Sequence, residues 1–325
     1  MREAKVVFVN RRSEQEYQEV FWKHVPPGFN VLWVDADQSS DDEIIRQVSD
    51  ADFLFLRRSG VPEQALRQAK KLKLIQVLSQ GYDRVPLPVT SALGIPVANI
   101  GGANAISVAE FTVLLILASL RRIFPSVAAL KQGKFVMDLD RRLYHQLYGK
   151  TVGLVGFGNI GQRVASLIYH FNANIIFYDT AEVPQAVVNE VKAKRVELEE
   201  LLGIADIVSL HVPLFEATRG MIGWEQLKLM KPSAVLVNTS RGEVVDEEAL
   251  IRALRQKKIA GAGMDVYSKE PPDPGNPLLT MQNVVATPHI AGAVWENLDT
   301  RFEMVWSNVI GVWHGEPPRN VVTTQ

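Results

Sequence analysis

The chain has 325 residues, of which 47% are hydrophobic, and its 35 Lys and Arg against 36 Asp and Glu give a net charge of −1. A nearly neutral chain without long basic runs is not expected to bind nucleic acid or an anionic membrane. With no cysteine at all, the sequence excludes disulfides, thiolate metal ligands and a cysteine nucleophile.

The length exceeds the size at which one hydrophobic core usually stops growing, so two domains are predicted. The N-terminal segment MREAKVVFVNRRSEQ has too short an apolar run to be a signal peptide. The longest apolar run, residues 111–120, is too short to span a bilayer. We therefore expect a soluble, cytoplasmic protein.

Over the first hundred residues, short β-like runs alternate with helix-like polar segments, a pattern typical of a parallel sheet. The predicted strands are residues 6–9, 31–34, 53–56, 74–78 and 96–98. The alternation breaks at Gly101 and Gly102, and residues 103–122 then form one predicted helix that is apolar over most of its surface. Such a helix is expected to be buried between domains or subunits.

A second alternating series begins at Thr151. Its predicted strands after the first are residues 175–178, 207–210, 234–238, 260–264 and 284–286. A helix-like segment, residues 294–313, and a short tail follow, and they are too few to form a domain of their own. We therefore expect the C-terminus to rejoin the first domain and make that domain discontinuous.

Residues 151–179, TVGLVGFGNIGQRVASLIYHFNANIIFYD, contain the parts of a dinucleotide-binding βαβ unit. Its three glycines allow a tight turn, the approach of a pyrophosphate to the backbone, and close packing of the helix on the strand. The phosphates are expected at the helix N-terminus. The residues of this loop predicted to bind the cofactor are Gly156, Gly158, Asn159, Ile160 and Gly161.

Asp179 ends the second strand of this unit. A carboxylate there accepts hydrogen bonds from the adenosine ribose and repels a 2′-phosphate, and no arginine occurs in residues 179–182. The sequence therefore predicts NAD rather than NADP. The resulting fold is α/β with two doubly wound parallel-sheet domains, in which a Rossmann nucleotide domain, residues 101–289, is inserted in a flavodoxin-like domain, residues 1–100 and 290–325.

Ligands of open parallel sheets bind beyond the carboxyl ends of the strands, so polar residues there are the candidates for chemistry. In the second series they are Gly156, Asp179, His211, Arg241, Asp265 and His289. Glu270 follows closely in the segment MDVYSKEPP. Alone, Arg241 would be a helix-terminus residue, Glu270 a solvated loop acid and His289 a structural histidine; their common position is what indicates function.

Five segments in chain order resemble the D-isomer-specific 2-hydroxyacid dehydrogenases, and the resemblance covers nearly the whole chain. They read LVGFGNIG, SLHVPLFEATRGMIG, VLVNTSRGEVVDEEAL, GAGMDVYSKEPP and TPHIAGA. The resemblance implies that Arg241, Glu270 and His289 are catalytic and that Asp265 contacts the nicotinamide. It also implies a small 2-keto or 2-hydroxy acid as substrate and makes a homodimer plausible through the helix of residues 103–122.

These residue types suit the reduction of a 2-keto acid by NADH. A histidine titrates near neutral pH and can give a proton to the carbonyl oxygen. A glutamate hydrogen-bonded to the far ring nitrogen of that histidine would fix its tautomer. An arginine offers a planar fork for a carboxylate. No His or carboxylate pair shows metal-ligand spacing, and hydride transfer needs no metal.

Further cofactor contacts are predicted at His211, Val212, Pro213, Thr239, Ser240, Arg241, Asp265 and His289. Predicted substrate contacts are Ser79, Gln80, Gly81, Arg241 and His289. The family pattern places the substrate carboxylate at the loop of the first domain, where backbone N–H groups can form an anion nest. Arg57 and Arg58 either bind a second anionic group or are solvated, and Trp295 either narrows the pocket or packs at a subunit contact.

Two functions remain open at this point. The first is an enzyme of the glyoxylate or hydroxypyruvate reductase type or the phosphoglycerate dehydrogenase type. The second is an NAD(H)-sensing binding protein, as with transcription corepressors that resemble these enzymes. The motifs do not separate the two, and they leave the substrate and the physiological direction undetermined.

Overall fold

The computed structural model describes residues 2–11, 14–135 and 140–322. The chain forms two compact units, Met1–Asn104 with Val294–Gln325, and Ala105–Ala293. The predicted boundaries at residues 100 and 290 lie four residues before the observed ones. The predicted ranges also contain residues 1, 12–13, 136–139 and 323–325, which lie outside the described residues.

The first unit is a five-stranded parallel sheet in the order β2-β1-β3-β4-β5. Its strands are β1 (Ala4–Asn10), β2 (Phe29–Asp35), β3 (Phe53–Arg57), β4 (Leu74–Val77) and β5 (Val97–Ala98). Its helices are α1 (Gln15–Lys23), α2 (Asp41–Val48), α3 (Glu63–Gln68) and α4 (Leu87–Ala92). Every residue of β3 and β4 is buried, as expected for central strands covered on both faces.

The second unit is a seven-stranded parallel sheet in the order β12-β11-β10-β9-β6-β7-β8. Its strands are β6 (Thr151–Val155), β7 (Asn174–Tyr178), β8 (Lys194–Arg195), β9 (Ile207–Leu210), β10 (Val235–Asn238), β11 (Gly261–Met264) and β12 (Val284–Ala286). Its helices are α5 (Ala105–Leu120), α6 (Ile123–Lys131), α7 (Asn159–Tyr169), α8 (Gln185–Glu190), α9 (Leu198–Ile204), α10 (Trp224–Leu229) and α11 (Glu247–Arg255). Two parallel sheets flanked by helices confirm the predicted fold class.

The predicted helix of residues 103–122 is shorter than expected and has a second helix behind it. Arg122 adopts a left-handed conformation with φ of 47°, which ends α5, and α6 continues at an angle of 65° to it. Ten residues of α5 are buried, whereas none of α6 is. Among the described residues no single helix is long and apolar enough to cross a bilayer, although α5 and α6 taken together have the required length and composition.

The chain returns to the first unit through α12 (Asn297–Trp313). Phe302 and Trp306 of this helix pack against Phe21 and Phe55, with ring centroids 5.1 to 5.9 Å apart. The tail then lies antiparallel to β5, where Val322 N–H donates to the carbonyl oxygen of Val97 at 2.8 Å. The first unit is therefore completed by residues from both ends of the chain.

Candidate active site

The loop between β6 and α7 has the shape of a phosphate-binding turn. Gly156 has φ of +96°, which favours glycine, and its N–H donates to the carbonyl oxygen of Tyr178 at 2.8 Å. A Cβ on Gly161 would lie 2.2 Å from the carbonyl oxygen of Gly156, so the helix packs here only with glycine. A Cβ on Gly158 would meet nothing within 4 Å. This side of the turn is open.

The N-terminus of α7 lies at this open side. Gly158 is the N-cap and has no side chain to occupy the first N–H groups, and Asn159 and Ile160 are the first two helical residues. Backbone N–H groups and the positive end of the helix dipole favour an anion there. The residues present therefore fit the pyrophosphate of a dinucleotide.

Asp179 and Arg195 together shape the loop after β7. The Asp179 carboxylate accepts hydrogen bonds from Phe157 N–H at 2.6 Å and from Ala181 N–H at 2.8 Å. The Arg195 guanidinium, from the edge strand β8, donates to the carbonyl oxygens of Asp179 and Ala181, the latter at 3.1 Å. The search for an arginine in residues 179–182 did not find Arg195, because it lies in strand β8, which was not predicted from the sequence.

His211 follows β9 and lies against the glycine turn. A Cβ on Gly156 would come within 2.8 Å of the backbone carbon of His211 and 2.9 Å of Val212 N. His211 Nε2 is 3.0 Å from Ser209 Oγ, and Nδ1 is buried without a hydrogen-bond partner among the described residues. Burial lowers the pKa of His211 to about 3, so this ring stays neutral and supports the turn rather than exchanging protons.

The end of β10 presents Arg241. Asn238 Oδ1 accepts from Ser240 N–H at 2.9 Å and from its hydroxyl at 2.7 Å, and Asn238 Nδ2 donates to the carbonyl oxygen of Arg241 at 2.8 Å. The hydroxyls of Thr239 and Thr112 of α5 lie 2.9 Å apart. These bonds fix the backbone on which Arg241 stands.

Gly242 lets the backbone beside Arg241 lie directly against the neighbouring loop. The sequence analysis did not identify this glycine. A Cβ there would lie 1.9 Å from the backbone carbon of Tyr267 and 2.4 Å from Ser268 N, so only glycine fits. Tyr267 is anchored in turn, since its hydroxyl donates to the carbonyl oxygen of Thr287 at 3.1 Å. The loops after β10, β11 and β12 are thus in direct contact.

Glu270 and His289 form a hydrogen-bonded pair in which Glu270 Oε2 lies 2.7 Å from His289 Nδ1. The other oxygen of Glu270 accepts from Tyr267 N–H at 3.2 Å. Burial alone would raise the pKa of Glu270, but the hydrogen bond and charge of His289, the Tyr267 N–H and the charge of Arg241 outweigh it and lower that pKa. The Glu270 carboxylate is 27% exposed and the His289 ring 46%, so the pair is accessible.

Asp265 holds the segment that carries His289. Its Oδ1 accepts from Thr287 Oγ1 at 2.7 Å and from Ile290 N–H at 3.0 Å, and its Oδ2 accepts from Ala291 N–H at 2.9 Å. Its own carbonyl oxygen accepts from His289 N–H at 2.8 Å. Asp265 is fully buried, so these contacts position the histidine; the predicted contact with the nicotinamide stays a prediction.

The predicted substrate loop lies in the first unit. Ser79 Oγ donates to the carbonyl oxygen of Gly81 at 2.7 Å, and Gln80 Oε1 accepts from Gly102 N–H at 2.8 Å. The loop is therefore held by its own neighbours, and its binding of a carboxylate stays a prediction. Among the described residues no group of three or more His, Asp or Glu is placed to hold a metal ion.

The sequence of this chain is similar to the sequences of known enzymes. Residues 113–291 match the family described as D-isomer specific 2-hydroxyacid dehydrogenase, NAD binding domain. A glyoxylate reductase of Korarchaeum cryptofilum is 39% identical over 297 residues, which cover 90% of this chain and 89% of that protein. A D-3-phosphoglycerate dehydrogenase of Methanocaldococcus jannaschii is also 39% identical, over 86% of this chain but only 53% of that protein.

The solved structures agree. A glyoxylate reductase from Paecilomyes thermophila superposes with a TM-score of 0.86 at 25% identity, covering 99% of each chain. The likeness extends through both units of the chain, so it includes more than the nucleotide-binding part that the family description covers. These relatives carry names of oxidoreductases, which favours an enzyme over the alternative of a nucleotide-sensing binding protein.

Replacing Asp265 by Asn is expected to lower the free energy of unfolding by about 1–3 kcal/mol, since an amide NH2 would face one of the N–H groups that the carboxylate accepts from. Urea unfolding measures the change. Asp273→Asn is the control, since its Oδ1 accepts from the nearby Gly275 N–H of an exposed turn. Equal stability of the two variants would contradict the anchoring role.

Neutral His211 makes stability depend on pH. Between its ordinary pKa of 6.5 and its folded pKa of about 3, the unfolded chain binds a proton that the folded chain does not, so stability falls as pH falls through this window. The slope from one proton is at most about 1.4 kcal/mol per pH unit. Urea unfolding at pH 7 and pH 5 should show a smaller loss for His211→Gln than for the wild type. An unchanged loss in His211→Gln, or the same effect in the exposed His170→Gln, would reject this assignment.

Proposed function

We propose that this chain, which belongs to the family of D-isomer specific 2-hydroxyacid dehydrogenases, reduces a small 2-keto acid such as glyoxylate or hydroxypyruvate with NADH. It is an NAD-dependent oxidoreductase acting on 2-hydroxy acids. The observation that carries the finer proposal is the Glu270–His289 pair beside Arg241 at the carboxyl edge of the nucleotide-binding sheet.

The cofactor is held by the turn of Gly156, Gly158 and Gly161, with its phosphates at the N-terminus of α7 and its adenosine ribose at Asp179. NADH, when bound, supplies the hydride that reduces the keto carbon. The open side of Gly158 and the two N–H bonds that orient the Asp179 carboxylate support this placement. The other proposed cofactor contacts border the same edge of the sheet; they are His211, Val212, Pro213, Thr239 and Ser240.

His289 gives the proton. Because Glu270 remains ionised, it accepts the Nδ1–H of His289, which leaves Nε2 as the nitrogen that donates to the carbonyl oxygen of the substrate. As negative charge develops on that oxygen, the nearby carboxylate stabilises the protonated ring from which the proton departs. In the oxidative direction the same nitrogen takes the proton back.

Arg241 binds the substrate. Its planar guanidinium matches a carboxylate with two parallel N–H bonds. The bonds that Asn238 makes to Ser240 and to the Arg241 carbonyl oxygen fix the base of this side chain. The substrate contacts predicted at Ser79, Gln80 and Gly81 of the first unit stay predictions.

His289→Ala is expected to lower kcat by about 10² to 10⁴-fold while NADH still binds, since the variant removes a general acid but leaves the glycine turn intact. NADH oxidation with glyoxylate, hydroxypyruvate and larger 2-keto acids measures turnover, and fluorescence titration measures binding. His170→Ala removes an exposed histidine from the same unit as a control. Turnover of His289→Ala at the wild-type rate would reject the mechanism, and no turnover of any 2-keto acid by the wild type would reject the function.

A homodimer is the proposed assembly. The helix α6 is apolar, yet none of its residues is buried, and Ile123, Phe124, Val127 and Leu130 are between 41% and 58% exposed. Ile106 and Leu114 of α5 are exposed as well. Such a patch is typical of a surface that another protein covers, and we assign it to a second copy. A cytoplasmic location also stays a prediction.

Leu130→Glu is expected to convert the dimer to a monomer, because it places a charge in the apolar interface. Sedimentation velocity gives the oligomeric state. Leu229→Glu, at a leucine of α10 that is 45% exposed, should leave the dimer intact. A wild-type protein that sediments as a monomer would refute the assembly.

A further inference from the structure

The adenosine end of the proposed cofactor site depends on a loop that lies beyond the end of its strand. Strand β7 ends at Tyr178, whose carbonyl oxygen still accepts from Gly156 N–H at 2.8 Å. After it, residues 179–182 belong to no helix or strand, and residues 180–182 are exposed. A loop without ladder hydrogen bonds moves unless other contacts fix it. The position of the Asp179 carboxylate therefore depends on side-chain contacts.

On the side of the glycine turn, the loop is held by the Asp179 side chain itself. One carboxylate oxygen accepts from Phe157 N–H of the turn, and the other accepts from Ala181 N–H of the loop. Each oxygen of a carboxylate has two lone pairs, so each keeps one for a further donor. The Asp179 carboxylate can therefore accept from ribose hydroxyls without giving up either of these bonds.

On the side of the sheet edge, the loop is held by Arg195 of strand β8. Arg195 pairs with Phe177 of β7, and its side chain extends past the end of that strand. Its guanidinium donates to the carbonyl oxygen of Asp179 and, at 3.1 Å, to that of Ala181. Among the described residues, no backbone N–H donates to either oxygen. These two hydrogen bonds therefore tie the loop to β8.

The backbone that carries Arg195 is itself fixed. The next residue, Val196, is buried, and its N–H donates to the carbonyl oxygen of Phe177 at 2.9 Å. Lys194, the other residue of β8, pairs instead with Glu200 at 3.4 Å. In the part of the chain that the structure describes, Arg195 is thus the one cation of β8 that contacts the loop.

We propose that Arg195 is a positioning residue for cofactor binding, which holds the Asp179 carboxylate in the orientation that accepts the adenosine ribose. By tying the backbone of Asp179 and Ala181 to β8, it orders the loop before NADH arrives. Binding is then tighter, because less ordering of the loop is left to the binding step. Arg195 acts through Asp179 rather than by contact with NADH, and this inference rests on the proposed placement of the ribose.

A double-mutant cycle of NADH binding tests this role. Fluorescence titration gives the Kd of NADH for the wild type, Arg195→Gln, Asp179→Asn and the double variant. Arg195→Gln should raise this Kd about tenfold, since it removes the two hydrogen bonds that order the loop. In the Asp179→Asn background the carboxylate to be positioned is absent, so there Arg195→Gln should change the Kd by less than about twofold.

Lys194→Gln is the matched control. It removes the same charge from the adjacent position of β8, at a lysine that pairs with Glu200 rather than with the loop. It should bind NADH like the wild type, whereas a general attraction of NADH to cations at this edge would be weakened by both variants. Equal weakening by Lys194→Gln and Arg195→Gln would overturn the proposal. Wild-type binding by Arg195→Gln, or full additivity in the cycle, would overturn it as well.

Hydrogen exchange without cofactor measures the order of the loop itself. Arg195→Gln should speed the exchange of the Ala181 N–H that donates to Asp179 Oδ1, whereas Lys194→Gln should not. Exchange at the wild-type rate in Arg195→Gln would contradict the proposal. Neither measurement needs turnover, so a chain that turns over no 2-keto acid would lose the proposed function and keep this role of Arg195. Turnover with an NADH Kd that does not depend on Arg195 would do the reverse.

Discussion

The buried carboxylate of Asp265 is the constraint on which the active site depends. It accepts from a threonine hydroxyl and two backbone N–H groups within five residues of chain, and so it folds the segment from Thr287 to Ala291 around itself. His289 lies inside this segment with φ of 55°, a conformation that is unfavourable for a residue with a side chain. The carboxylate therefore stabilises a strained backbone, which in turn directs the imidazole to Glu270.

In both sheets, polar groups gather at the carboxyl ends of the strands, but the kinds of group differ. In the nucleotide-binding unit the carboxyl edge presents backbone N–H groups at a helix N-terminus, which favour an anion without a basic side chain. At the corresponding edge of the first unit, the Glu14 carboxylate pairs with Arg57 and Arg58.

Much of this was predictable from the sequence, for definable reasons. The glycine turn, Asp179 and the strands of residues 207–210 and 284–286 follow from local patterns that tertiary structure does not override. The role of Gly242 could not be predicted, because its contact with Tyr267 joins loops 25 residues apart. The same holds for Asp265: its donors lie more than 20 residues later, so only the fold shows that it anchors His289. The helix α6 was missed because Arg121 and Arg122 interrupt the apolar run, and the predicted helix ended there.

The link between Arg195 and the Asp179 loop bears on attempts to change the coenzyme of such an enzyme. Engineers who want the phosphorylated dinucleotide usually begin with the acidic residue after the second strand. Here that residue shares its loop with a guanidinium whose hydrogen bonds go to backbone carbonyl oxygens rather than to a ligand. After replacement of Asp179, the guanidinium of Arg195 is already close enough to be turned toward a phosphate. Redesign would therefore begin from the edge strand β8 rather than from the loop.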